Sequence, residues 1–410
     1  MKFDNQLRHA TGIIHTYRGG VPLHAWLKDF FREHPQMGSR DRKFLSQLVY
    51  GYYRLGHTLK EMPAEERILL GLFLCYPQAS EKIYAQAGEF LQYFRPQWHE
   101  RVTASLQEKI AYCQGTGIDL RPAEIFPWKE ELSESIDHPA YCLSFLQQPD
   151  LFLRIRPGYE KEVLEKLQQH GVPYIFLPPF TLRLPNGFRT EELFTPDKEV
   201  VVQDYSSQRI GGFLTTGHSP LTTHHSPLTI WDACAASGGK SLLAHDLLPV
   251  ADLTVSDIRD SILHNLRQRF GVAGIKNYHA FVADLTKPNP SIPARDFDLI
   301  ITDVPCTGSG TWGRTPEELY FFDPKKIDQY AEWQRRIVQN TLPHLRKGGS
   351  LLYITCSVFK KENEAMVDLI RSSNPGAHME LQRVENIKGY GEKADTLFAA
   401  GFRDPLSDAR

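Results

Sequence analysis

Long apolar runs are missing from this sequence. The longest, Ile68 to Tyr76, is far too short to cross a bilayer, and the opening Met1-Lys2-Phe3-Asp4-Asn5-Gln6 lacks the apolar stretch of a signal peptide. A cytoplasmic protein without membrane contact is expected. Cysteine is sparse: Cys75, Cys113, Cys142, Cys234, Cys306 and Cys356 are the six in 410 residues, and no two form a Cys-x-x-Cys pair. That pattern argues against a zinc site and against a disulfide framework, so reduced thiols and no metal are expected. Internal repeats and low-complexity tails are absent as well. A net charge of −2 announces no polyanion binder. What remains is an ordinary composition, 41% hydrophobic and 23% charged, with room for two or three domains.

Local charge departs from the average. The first sixty residues carry ten lysines and arginines against four acidic residues, a balance of +6 that suits docking to a polyanion as well as it suits a solvated helical face. From Gln6 to about Leu120 the pattern is helical: Phe44, Leu48 and Tyr52 interleave with Leu45, Val49 and Tyr53 at i, i+4 spacing after a candidate N-cap at Ser39. Such a stripe is core, which leaves Arg40, Arg42, Lys43 and Arg54 as candidates for RNA contact. Pro63, Pro77 and Pro96 break the further helical segments.

The proline-studded stretch 115–150 reads as a connector holding one helix. A small α+β unit follows, with strands at 151–156, 174–177 and 182–184 and helices at 160–169 and 190–194. It resembles a small RNA-recognition-like fold without the aromatic motif that stacks bases. The tract 215–227 contains His218, His224 and His225, but no matched ligand spacing, and reads as a surface loop. From Leu228 strands and helices alternate as in a doubly wound, mostly parallel α/β sheet: strands at 228–231, 253–256, 278–282, 298–302 and 350–355, and a closing antiparallel pair near 379–384 and 396–402. The expected division is an all-helical domain over 1–125, a connector over 126–150, the α+β domain over 151–204 and the α/β domain over 205–410.

Ligands of open α/β sheets gather at the carboxyl ends of the strands, and the chemistry-bearing residues collect there. Cys234, Ala235, Ala236, Ser237, Gly238, Gly239 and Lys240 form a strand-to-helix turn of small residues, a nucleotide-type cradle. It is not a phosphate loop, because Cys234 stands where that motif needs its first glycine. Asp257, Asp284 and Asp303 end successive strands. One strand-end acid often merely caps the next helix, but three together describe an adenosine pocket. Asp303-Val304-Pro305-Cys306 and Thr355-Cys356-Ser357 then deliver a carboxylate and two thiols to one crevice. A free cysteine is most often a buried structural thiol, the reading kept for Cys75, Cys113, Cys142 and Cys234.

The runs Asp-x-Cys-Ala-Ala-x-Gly-Gly-Lys at 232–240, Asp-x-Pro-Cys-x-Gly-x-Gly at 303–310 and Thr-Cys-Ser followed by Glu362-Asn363-Glu364 resemble three signature motifs of the RsmB/Sun family of S-adenosylmethionine-dependent RNA cytosine-C5 methyltransferases. The run from Gly38 through Gly51 is similar to the NusB-like helical RNA-binding domain of its bacterial members. Ser237 replaces the usual proline and Thr307 the usual serine, and the ending Asp395-Thr396-Leu397-Phe398 also differs from the typical pattern.

The resemblance implies a Rossmann-like class I methyltransferase domain, S-adenosylmethionine as cofactor and RNA as partner. Ribosomal RNA is expected ahead of transfer RNA, and the chain is expected to be a monomer. Carbon 5 of cytosine is a poor nucleophile until a thiolate adds at carbon 6. By resemblance Cys356 is that nucleophile, Cys306 aids product release, Asp303 serves ring N3, Lys240 meets the cofactor or the carboxylate, and Arg314 lies beside the target base. An exocyclic-amine methyltransferase would need no thiol. A non-catalytic RNA-binding factor would need neither cofactor loop nor paired cysteines.

Overall fold

A strand with an apolar centre needs cover on both faces, and the run Phe297–Asp303, with Leu299, Ile300 and Ile301 at its middle, receives it. Leu299 and Ile301 face one hydrophobic cluster, with Leu242, Leu266 and Phe270. Phe297 and Ile300 face the other, with Ile337, Val338 and Ile370. Neighbouring strands alternate in the same sense, Ile230 against Trp231 and Leu352 against Tyr353. Each such side chain, withdrawn wholly from water, contributes roughly 1.5–3 kcal/mol.

The computed structural model describes residues 2–76, 85–215, 227–248, 251–372 and 379–405. They form two units. One comprises 1–130, 137–148 and 311–323; the other comprises 131–136, 149–310 and 324–410.

The first unit is helical. Helix Ser39–Arg54 buries Phe44, Leu45, Leu48, Val49, Tyr52 and Tyr53, as the spacing predicts, but Gly38 rather than Ser39 occupies its N-cap. It crosses helix Ala64–Leu74 with backbones touching: a Cβ added at Gly71 would sit 2.3 Å from the Gly51 carbonyl oxygen. Pro63 caps that second helix and Pro96 opens the short helix Pro96–His99; Pro77 lies outside the described residues.

The second unit holds two sheets. Strands β1 (Leu151–Ile155), β2 (Ile175–Leu177), β3 (Thr181–Leu184) and β4 (Val200–Val202) form an antiparallel sheet in the order β2-β3-β1-β4, covered by helix Glu160–Gln169. Near 190–194, where a helix was expected, only a 3-10 turn forms, Thr190–Glu192. The larger sheet contains β5 (Thr229–Asp232), β6 (Asp252–Asp257), β7 (Tyr278–Val282), β8 (Phe297–Asp303), β9 (Leu345–Thr355), β10 (Glu380–Lys388) and β11 (Thr396–Arg403), in the order β10-β11-β9-β8-β5-β6-β7. Strands β5 to β9 run parallel, while β11 pairs antiparallel with both β9 and β10. The closing pair is therefore real, with its later strand on the inside. The sheet is Rossmann-like, and its strand order reverses between β5 and β8, where an open α/β sheet places its ligand.

Candidate active site

Beyond β5 the chain turns through 233–238 into helix Gly239–Leu247. Small residues are needed because the backbone itself is contorted: Ala236 and Gly238 both take positive φ, 46° and 86°. A Cβ at Gly238 would lie 2.8 Å from the Phe270 ring, whereas one at Gly239 would meet nothing within 4 Å. The neighbouring strand β6 fastens the turn: Ala235 N donates to Ser256 O (2.9 Å) and Ala236 N to Asp257 Oδ2 (3.0 Å).

Asp232, the last residue of β5, is fully buried. Its Oδ2 accepts from Ser241 Oγ at 2.6 Å and its Oδ1 has no partner. Burial, opposed by the Ser241 bond and reinforced by Asp303 and Asp257, pushes this carboxyl up to about 7. Burial and then these same three carboxylates push the Cys234 thiol well above the usual range, so it remains an inert thiol.

Asp257 accepts Ala236 N on one oxygen and the backbone and Nε of Arg259 on the other, so part of its capacity organises the loop. Asp284 turns one oxygen back to Thr286 N and Oγ1. Beside these acids Ile258 and Val282 stand 55% and 49% exposed at the carboxyl ends of β6 and β7. Two bare aliphatic side chains beside strand-end acids suit a flat ring and its attached sugar, and they escaped the sequence reading because an isolated Ile or Val carries no signal.

Strands β8 and β9 pair in parallel with Asp303 opposite Ile354, so the residues just past their ends are neighbours. Cys306 Sγ and Cys356 Sγ lie 3.2 Å apart, both half-buried. The Cys306 thiol is pushed well above its usual range, first by its hydrogen bond with Cys356 and then by burial. Lys240 Nζ donates to Asp303 Oδ2 at 2.9 Å. Burial works against the charge on Lys240, but Asp303, helped by Cys356 and Asp232, holds it above the ordinary lysine range. Of the two partners expected for this lysine, the structure records the carboxylate.

The sequence reading assigned no role to the residue at the centre of this arrangement, Glu362. It is fully buried, and its Oε1 accepts from Thr307 N (2.9 Å) and Gln334 Nε2 (2.9 Å). Its Oε2 accepts from Thr307 Oγ1 (2.6 Å) and Ser357 Oγ. One carboxylate thus joins the residue after Cys306 to the residue after Cys356. Burial raises its pKa although those donors oppose the shift. Gln334 also donates to Pro305 O (3.1 Å) and accepts from Tyr353 OH (3.1 Å). A signal for it existed: it is the amide on the buried face of helix Lys325–Thr341, among Ile327, Ile337 and Val338. Asn363 completes the brace, accepting from Thr355 Oγ1 (2.6 Å) and donating to Ser357 O (2.9 Å).

The candidate RNA residues lie in the helical unit. Arg40 and Lys43 are exposed, while Arg42 is half-buried with Nε on Met37 O at 2.8 Å. Arg54 is a correction: it is buried, and NH1 donates to Phe145 O (3.0 Å), Gln147 O (3.2 Å) and Gly313 O (3.0 Å), so it staples the unit and offers no surface charge. Arg314, half-buried, falls within the segment 311–323 of the same unit. Among the described residues no group of three or more His, Cys, Asp or Glu could hold a metal, and no helix is long and apolar enough to cross a membrane. His218, His224 and His225 lie outside them.

Residues 221–400 match the family model described as 16S rRNA methyltransferase RsmB/F. The chain is 25% identical over 382 residues to the probable ribosomal RNA small subunit methyltransferase B of Synechocystis sp., covering 82% of each chain. It is 25% identical over 405 residues to ribosomal RNA small subunit methyltransferase B of Enterobacter sp., covering 95% of this chain and 88% of the relative. The crystal structure of PH0851 shares the fold at 18% identity, with a TM-score of 0.64 over 92% of this chain and 93% of that one. Sheet order, loop motifs and family match agree that residues 221–400 form a domain similar to the RsmB/F family of methyltransferases.

Proposed function

We propose that this methyltransferase modifies carbon 5 of a cytosine in RNA, ribosomal RNA of the small subunit being the substrate, through a covalent adduct between Cys356 and carbon 6 of the base. The observation that carries the reading is the pair of thiols at the ends of adjacent parallel strands, 3.2 Å apart. Amine methylation has no use for such a pair. The names of the relatives favour ribosomal over transfer RNA.

The methyl donor is S-adenosylmethionine, which when bound supplies an electrophilic methyl group. The residues fit it: the small-residue turn 233–239 is open at Gly239, Asp257 and Asp284 are the acids for its hydroxyl and amino groups, and Ile258 and Val282 offer an apolar face. Cys356 as thiolate adds to carbon 6, and the electron density displaced toward ring N3 is met by a proton from the Asp303–Lys240 pair. Once carbon 5 carries the methyl group, its proton is lost to a base as the C6–S bond breaks and Cys356 departs with the electron pair as thiolate; Cys306, 3.2 Å from that sulfur, is the group that assists this release. A stacked base is out of reach of such a centre, so the target cytosine is unpaired or extruded. The helical unit, NusB-like by resemblance, grips RNA through Arg40, Arg42, Lys43 and Arg314. The protein works as a cytoplasmic monomer.

Trapping tests this reading. Cys306→Ala is expected to accumulate a covalent RNA adduct, and Cys356→Ala to give neither adduct nor methylated product. Full activity in the Cys356 variant would overturn the assignment. Bisulfite sequencing of total RNA from a deletion strain identifies the base.

A further inference from the structure

The geometry points to Arg269 as a positioning residue that ties the small four-stranded domain to the backbone of the cofactor loop; this rests on the proposed use of that loop for S-adenosylmethionine. Arg269 lies on helix Asp260–Ala273. Its Nε and NH2 form a fork on the two oxygens of Asp197 (2.9 and 2.7 Å), and its NH1 donates to both the carbonyl and the hydroxyl of Ser237 (2.9 and 3.1 Å). One guanidinium thus bridges a turn of the small domain and the middle of the loop.

Both ends of the bridge are conformationally expensive. Ser237 stands between Ala236 and Gly238, which take positive φ, and Asp197 itself has φ 65°, unfavourable for a residue with a side chain. Such backbone persists only where its surroundings over-determine it. The Asp197 carbonyl accepts from Arg156 NH1 (2.9 Å), which also donates to Ala273 O (2.8 Å), at the end of the helix that carries Arg269.

Two further ties reach the two ends of the helix after the loop. Arg154 and Arg156 converge on the buried carboxylate of Asp246 at 2.6 and 2.7 Å, and Gln203 Nε2 donates to Gly239 O at 3.3 Å. The loop and the helix that follows it are therefore held from outside the methyltransferase sheet, at Ser237, at Gly239 and at the far end of the helix, about two turns on.

The test uses the full-length protein. Arg269→Gln removes the fork and keeps the length. Without any ligand, amide exchange of residues 235–239 is expected to rise about ten-fold, with the melting temperature little changed. Calorimetric titration with S-adenosylmethionine is expected to show a Kd raised about ten-fold, and kinetics a raised KM with kcat at saturation retained. Ser237→Ala, which spares the carbonyl contact, is expected to cost less. Asp197→Ala combined with Arg269→Gln is expected to cost no more than Arg269→Gln alone, because Asp197 acts through the arginine.

Unchanged exchange and unchanged Kd in Arg269→Gln, or fully additive effects in the double variant, would overturn the inference. A wild-type protein that binds no S-adenosylmethionine would overturn the proposed function instead, while the tether would still stand or fall on the exchange of 235–239.

Discussion

Lys240 Nζ stands 2.9 Å from Asp303 Oδ2, with the two side chains 11% and 29% exposed. A pair this sheltered leaves a costly charge behind when one partner is removed. Lys240→Met is expected to lower stability by about 2 kcal/mol at pH 7 and to slow adduct formation about 10²–10³-fold, since it strips a fixed positive charge from where negative charge develops. The pH dependence has a defined sign. Asp303, acting against burial, raises the folded-state pKa of Lys240, so its contribution is whole below the unfolded-state value and disappears as pH rises through the folded one. The difference in urea midpoint between wild type and Lys240→Met should hold constant from pH 7 to about 9.5 and shrink above that. A constant difference to pH 11 would contradict the pairing.

Glu362 predicts a contrast between two substitutions. Two of its four donors are hydroxyls, Thr307 Oγ1 and Ser357 Oγ, and can rotate to accept; the other two, Thr307 N and Gln334 Nε2, can only donate. Glu362→Gln can keep its oxygen toward the nitrogens and turn its amide to the hydroxyls, so a cost of about 1 kcal/mol is expected, with adduct formation within about ten-fold of wild type. Glu362→Ala takes the shared acceptor from all four donors, leaves Thr307 N without one, and frees both cysteine-bearing turns. A loss of about 3–4 kcal/mol and of at least about 100-fold in adduct formation is expected. Urea melts and gel-shift trapping in the Cys306→Ala background read both; equal rates in the two variants would show that the carboxyl does not set the geometry.

How much of this was legible follows from what makes a pattern. Strand ends were readable because burial on both faces forces apolar runs at the centre of the sheet: those ending near Asp303 and Thr355 bring Cys306 and Cys356 together, and the half-exposed edge run Tyr278–Val282 also forms as predicted. Asp257, Asp284 and Asp303 do end their strands or follow them closely. What escaped depends on three-dimensional pairing. Arg54 looks like any basic residue at a helix end until three carbonyls are found around its guanidinium. Gly310 looks like one glycine in a loop, yet a Cβ there would sit 1.9 Å from Thr396 O, contributed by β11 far along the chain. Arg269 and Asp197 are 72 residues apart, and no period relates them.

Asp232 predicts a substitution that strengthens the fold at the expense of the site. Its Oδ1 is buried without a partner, and burial first, with Asp303 and Asp257 adding, lifts its carboxyl to about 7. The folded protein therefore holds this proton where the unfolded chain, with a carboxyl near 4, has lost it, so the group's contribution to stability falls as pH rises between those values. Asp232→Asn mimics the protonated form and escapes that fall. The variant is expected to match wild type near pH 4.5 and to exceed it by about 1–3 kcal/mol at pH 8, while binding S-adenosylmethionine more weakly. Chemical denaturation across that range checks it, and an Asn variant less stable at pH 8 than at pH 4.5, relative to wild type, would reverse the sign.

The helical unit separates charge that serves packing from charge exposed on its surface, which the proposed function assigns to RNA. Arg40 and Lys43 are exposed, whereas Arg54 is buried with its guanidinium on the carbonyls of Phe145, Gln147 and Gly313. Each phosphate contact contributes about 0.7–0.9 to the slope of log affinity against log salt. Arg40→Gln with Lys43→Gln is expected to reduce that slope by about 1.5 and to weaken RNA binding most at low salt, with an unchanged melting temperature. Arg54→Gln is expected to do the reverse, costing about 3 kcal/mol of stability because several buried carbonyls lose a charged donor, and leaving the slope for the folded fraction as it was. Fluorescence anisotropy with a ribosomal RNA fragment over a potassium chloride series, paired with thermal melts, distinguishes the two. If Arg54→Gln flattened the slope and the surface pair did not, the division between buried staple and RNA-facing charge would be wrong.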